Sequence, residues 1–167
     1  INVVLSELEY LADHMYFKLR SELIEVHIYV KIIEDFNRRR KAAINVKKLL
    51  EICQKSHILQ EEETSFNIRF SDKNTFAYFV AKYISREYER DASNMTKLLY
   101  VMNHICFGIN DTIVLFLAFI RSNTKIVLDI AAKSIELLQS YQEWDFEKNN
   151  IPFLTLSSNQ NINVPTL

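Results

Sequence analysis

Apolar positions recur at helical spacing over most of the chain. Val3, Val4, Leu8, Leu11, Met15 and Leu19 predict a first amphipathic helix over about residues 2 to 19. Ser21, with acidic residues beside it, predicts the cap of a second helix that carries Leu23, Val26, Val30 and Ile33 and fades into the basic run Arg38, Arg39, Arg40 and Lys41. Asn45 predicts the cap of a third helix running to about Ser56. That helix sets Val46, Leu49, Leu50 and Cys53 against Lys47, Lys48 and Glu51 on its other side. The period then changes. "HILQ" and "SFNIRF" are short β-like runs separated by the acidic "EEET", and they predict a two-stranded hairpin. Ser71 or Asp72 next caps a helix in which Phe76, Phe79, Val80, Tyr83 and Ile84 repeat as one buried face, ending in the mixed-charge stretch Arg86 to Asp91. Three more helices are predicted at about 93–107, 111–121 and 124–141, and from "EWDFEKNNIPF" onward the periodicity is lost, as in a docked or disordered tail.

The order of these elements predicts a mainly α fold: a winged helix-turn-helix with a small β-hairpin, followed by an α-helical bundle. The expected organisation is a winged-helix-like subdomain over 1–71, a helical subdomain over 72–145 and a tail or linker over 146–167. Phe76, Tyr78, Phe79 and Tyr83 are expected to pack the two subdomains together. Composition agrees with helix as the default: one glycine and two prolines among 167 residues leave few tight turns for a large sheet. A formal charge of -1 speaks against a general polyanion binder while leaving room for a local basic face. The longest apolar run, Ile113 to Ile120, is about half of what a membrane helix needs, so no membrane partner is predicted. Cys53 and Cys106 stand in apolar surroundings without metal-ligand spacing, which predicts two buried thiols in a reducing, cytoplasmic setting. Ile rather than Met begins the sequence, and the expectation is one piece of a longer polypeptide.

The stretch "VKKLLEICQKSHIL", an acidic turn, "FNIRF" and then "FAYFVAKYI" resembles the passage from the winged helix into the helical domain of STAND-type signalling NTPases, the NACHT and NLR relatives that include bacterial antiviral members. In that family a helix ending in "-IL" precedes a strand pair, an arginine-phenylalanine step and a helix with the pattern E-Y-F-x-A-x-Y-[IL]. Ile58-Leu59, Arg69-Phe70 and Tyr78-Phe79-Val80-Ala81-Lys82-Tyr83-Ile84 match it in order, and "DTIVLFLAFIRSNTKIVLDIAAKSIELL" is similar to the helices that follow in bacterial members. The likeness covers about residues 1 to 145. It implies a non-catalytic segment of a switch for signalling or antiviral defence. Its partners would be an NTPase core and a sensor region of the same polypeptide, with release leading to homo-oligomerisation. Many relatives carry a histidine just before the aromatic helix, within reach of nucleotide phosphates; Asp72 stands there in this chain. An Asp lacks that donor and repels phosphate. His57, Arg69 and Asp72 are the residues expected to face the NTPase core.

No catalytic constellation accompanies these features. GxxxxGK[ST], HExxH, GxSxG and CxxC are all absent, so neither an enzyme, a cofactor nor a metal is expected of this chain by itself. His14, His27, His57 and His104 are far apart in sequence, and Glu61, Glu62 and Glu63 read as a solvated turn rather than a cation site. Two other functions remain open. As a DNA-binding winged helix, the chain would use Arg38, Arg39, Arg40, Lys41, Lys47 and Lys48 on phosphates, although the third helix offers only Gln54 for reading bases and the wing is Glu-rich. As a helical adaptor it would capture a partner helix along Phe107, Ile113, Phe116, Leu117 and Ile120.

Overall fold

A computed structural model of the chain describes residues 2–62, 65–90, 95–120 and 124–139. The predicted tail over 146–167 lies outside the described residues. Helix α1 (Asn2–Asp13) runs on without a break as a π-helical stretch, His14–Leu19. It stops at Arg20, whose backbone turns left-handed (φ 51) and returns its N–H to the Met15 carbonyl, as helix C-termini commonly do. Strand β1 (Leu23–Glu25) follows, then α2 (Val26–Arg40), α3 (Val46–Lys55), β2 (Leu59–Glu61) and β3 (Asn67–Phe70). The three strands form one antiparallel sheet in the order β1-β3-β2, which is the winged-helix arrangement. Four helices complete the described structure: α4 (Lys73–Arg90), α5 (Met95–Asn103), α6 (Asn110–Ile120) and α7 (Thr124–Leu138). The fold is mainly α with a small sheet, as the hydrophobic pattern predicts.

One element departs from that pattern. Leu23 was expected on the face of the second helix, but Leu23–Glu25 is extended and pairs with β3, placing Leu23 opposite Arg69, Ile24 opposite Ile68 and Glu25 opposite Asn67. The Ser21 hydroxyl does not cap a helix here. It donates to the Leu23 carbonyl at 2.6 Å and accepts the Leu23 N–H at 3.2 Å, which shapes a tight local turn into the strand. Ile24 and Ile68 are both buried, so the third strand hides an apolar pair and covers a β3 edge that would otherwise present open backbone groups. The sheet is thus three-stranded instead of a two-stranded hairpin.

Local chemistry sets the joints. Asn37 ties the α2–α3 turn from both ends of its amide, donating to the Ile44 carbonyl at 2.9 Å and accepting the Ile44 N–H at 3.4 Å. Asn45 caps α3 by accepting the Lys48 N–H at 3.0 Å, and Asp72 caps α4 by accepting the Thr75 N–H at 2.9 Å. Only Ser71 and Asp72 separate β3 from α4. Phe70 therefore arrives directly over the first turns of α4, stacked on Phe76 with ring centres 5.2 Å apart and tilted against Phe79 at 5.6 Å. Tyr78 meets Phe116 of α6 edge to face at 5.7 Å. On the far side, Lys97 of α5 places its ammonium 4.4 Å from the Tyr83 ring centre.

One continuous core results, drawing Leu8 and Leu11 of α1, Met15 of the π-helical stretch, Tyr29 and Ile33 of α2, Leu49 and Cys53 of α3, Phe79 and Ile84 of α4, and Ile113 and Leu117 of α6 into a single cluster. Ile113 and Leu117 are fully buried, so they form core rather than an open groove for a partner helix. Cys53 is buried as expected, and burial pushes its thiol up to about 11. Cys106 is exposed, contrary to expectation, because α5 ends at Asn103 and the thiol falls on the turn that follows it.

Three acidic side chains of α1 are also buried. Glu9 pairs with Arg86 at 2.6 Å, and Asp13 pairs with Lys97. Glu7 faces the Tyr29 and Cys53 side, and neither carboxylate oxygen has a hydrogen-bond partner among the described residues. Burial accordingly raises its pKa from 4.5 to about 7. Between those values the folded chain holds the Glu7 proton and the unfolded chain has lost it, so stability falls as pH rises through that window. Denaturant unfolding as a function of pH should show Glu7→Gln gaining on the parent chain by about 3 kcal/mol between pH 4.5 and about 7, with a level difference above. A pH-independent difference would mean that water reaches the carboxylate. Phe79→Ala should cost about 3–5 kcal/mol in the same assay, because its ring is buried on α4 against Phe70 at the end of the sheet.

Candidate functional site

The residues expected to face a nucleotide-binding core are only partly gathered. Arg69 points outward from β3, with its guanidinium 3.9 Å from Glu62. Arg69 and Asp72 line a small cleft of about 100 Å³ together with Glu22, Phe70, Ser71, Lys73 and Phe76. His57 is not part of its lining. It sits exposed just after α3 in a left-handed backbone conformation (φ 52), donating its N–H to the Gln54 carbonyl at 3.0 Å. Asp72 is committed to capping. One oxygen accepts the Thr75 N–H, and the other accepts the Thr75 hydroxyl at 2.6 Å and the Ser71 hydroxyl at 3.3 Å. The Thr75 bonds hold its carboxyl below the usual range, so it stays charged and occupied.

The basic run is also partly engaged. Asp35 accepts a hydrogen bond from the Tyr10 hydroxyl at 2.6 Å, pairs with Arg39 at 2.7 Å and takes a short contact from Arg38. These partners, Tyr10 first, lower the Asp35 carboxyl to about 2. Arg40 ends α2, and Lys41 takes the left-handed position that closes it. Lys47 and Lys48 are exposed on α3, but so are Glu51 and Ile52. Gln54, the side chain suited to reading a base, donates instead to Glu61 at 3.0 Å. Glu63 lies outside the described residues, while Glu61 and Glu62 bring negative charge to the wing. Among the described residues no three His, Cys, Asp or Glu side chains gather as a metal site would require, and no helix is long and apolar enough to cross a membrane.

A larger concavity lies where sequence patterning predicts no pocket. A cleft of about 330 Å³ opens between the end of the π-helical stretch and the α5–α6 connection, bounded by Tyr16, Arg20, Tyr100, His104, Phe107 and Asn110, with Phe76 also on its wall. Asn110 is buried and pins the two sides: its amide donates to the His104 carbonyl at 2.7 Å, and its oxygen accepts a short hydrogen bond from the Tyr16 hydroxyl. Gly108 turns the connection with φ 60, a conformation suited to glycine. Its walls come from residues more than eighty positions apart, which explains why no local motif announces it. Two of its lining residues stand out in the sequence, Phe107 at the start of the apolar stripe and the lone glycine between two apolar helices, but neither marks a cleft by itself.

Asp72→Ala should cost about 1 kcal/mol of stability, the usual worth of a helix cap, and Asp72→Asn should recover most of it. Thermal unfolding of the two variants checks this; full loss with Asn would mean that the charge, and not the cap, matters. No known protein family, curated protein or solved structure matches the chain.

Proposed function

We propose that the chain is a non-catalytic regulatory and interaction segment of a larger STAND-like signalling NTPase, acting in signalling or defence through contacts with an NTPase core and a sensor region. The observation that carries this reading is the apolar outer side of the last two helices. Leu115 and Phe119 of α6 and Leu128, Ile135 and Leu138 of α7 are exposed, Phe119 by 77%. Leu128, Ile135 and Leu138 recur at intervals that keep them on one side of α7. Such a face fits a surface that packs against a neighbouring body. The winged-helix order and its two-residue passage into an aromatic helix support the same reading, because the resemblance rests on that passage.

DNA binding is the second reading, favoured by Lys47, Lys48 and Lys55 on the exposed side of α3. It ranks lower because Arg38 and Arg39 are paired with Asp35, and the wing carries Glu61 and Glu62.

The deciding experiment reads the native open reading frame that contains this chain and then assays the whole polypeptide. The expected result is a Walker-type core N-terminal to Ile1, with Phe119→Ser combined with Leu128→Ser changing nucleotide release by about fivefold or more. A polypeptide without that core overturns the proposal. Retention on duplex DNA that falls with salt and with neutralisation of Lys47 and Lys48 would establish the second reading in its place.

A further inference from the structure

The cleft between the end of the first helix and the α5–α6 connection has the attributes of a built small-molecule site. Its volume of about 330 Å³ falls within the range of roughly 300–1,000 Å³ for such sites. Its walls are held before any ligand arrives, since the buried Asn110 bridges Tyr16 on one side and the His104 carbonyl on the other. The helix that forms one wall is π-helical there, a local widening that is found often at functional positions.

Its chemistry is divided between an aromatic interior and a charged rim. Phe76, Tyr100 and Phe107 supply ring surfaces, and Phe107 is 69% exposed although it neighbours the buried Ile109. Arg20 stands at the rim, and its guanidinium makes no ion pair or hydrogen bond among the described residues. An adjoining cleft of about 200 Å³, lined by Phe17 and Lys97, shares Tyr16, Arg20 and Tyr100, so Arg20 stands at both openings. Lys97 itself is occupied by Asp13. The His104 ring nitrogen Nδ1 lies 2.8 Å from the Tyr100 carbonyl, and donation to that oxygen leaves Nε2 open. Glu22 belongs to the same lining, so a ligand with several negative charges would be repelled while a single carboxylate could keep to Arg20.

We propose that this cleft binds a small aromatic monocarboxylate, with the ring set among Phe76, Tyr100 and Phe107 and the carboxylate paired with Arg20. A planar guanidinium holds a carboxylate through two parallel hydrogen bonds, and a flat ring fits walls made of other rings. The bound molecule joins the end of the first helix to the α5–α6 connection and so stabilises their packing. This site does not rest on the NTPase reading: it uses neither the apolar face of α6 and α7 nor Arg69 and Asp72, although Glu22 and Phe76 line both clefts.

The test is an amide NMR titration of the chain with 2-naphthoate and with the neutral 2-naphthamide. Naphthoate is expected to give saturable shifts at Ser21, Gly108 and Ile109, with naphthamide binding about tenfold more weakly. Arg20→Asn keeps a residue that favours the left-handed backbone and should weaken naphthoate by about tenfold while leaving naphthamide within about twofold. Phe107→Ala, at an exposed wall, should weaken both probes. The amide spectra of the variants report directly that they remain folded. Absence of saturable shifts at the cleft, equal binding of the two probes, or an Arg20→Asn variant that holds naphthoate as well as the parent chain would each overturn the proposal.

Discussion

The two-residue passage from β3 to α4 constrains the rest of the molecule. Phe70 ends the central strand and Lys73 begins α4, so the Phe70 ring has little choice but to lie on Phe76 and Phe79. That stack joins the sheet to α4. Through Tyr78 and Phe116 the same helix reaches α6, and through Arg86 and Glu9 it reaches α1. The winged-helix elements and the later helices consequently share one apolar cluster.

Helix α1 fills the space between these parts, and it does so with acidic groups as well as apolar ones. Glu9 and Asp13 are one turn apart and each meets a cation from a different helix, Arg86 of α4 and Lys97 of α5. Buried pairs of this kind recover little net stability after desolvation, but losing one partner strands a charge, so they penalise alternative packings. Among the described residues Glu7 has no such partner, and it stays protonated over a wider pH range instead. The helix thus combines two compensated acids with one whose cost is met by its proton.

Charge and apolar surface are distributed unevenly outside the core. Asp35 engages part of the basic run, and the wing is acidic, which moderates the positive side of the winged helix. The outer sides of α6 and α7 are apolar, whereas the rim of the large cleft combines Arg20, Glu22 and His104 around aromatic walls. Protein contact through one face and small-molecule binding at another are physically compatible, since the two surfaces draw on different residues.

Short-range information was legible in the sequence. The helical periods, the Asn45 and Asp72 caps, the paired β-like runs and the buried aromatic face at Phe76 and Phe79 depend on residues a few positions apart. Strand β1 was not legible: three residues show no secure period, and Leu23–Glu25 becomes extended only because β3, more than forty positions later, offers it a partner. The exposure of Cys106 followed from where α5 stops, and the absence of an Arg20 partner among the described residues from where the π-helical stretch ends. The sequence by itself determined the helical character, most element boundaries and the order of a winged helix. The third strand, the partners of the buried acids and the cleft were decided only by tertiary structure, because each requires groups from distant segments to meet and no local periodicity encodes that meeting.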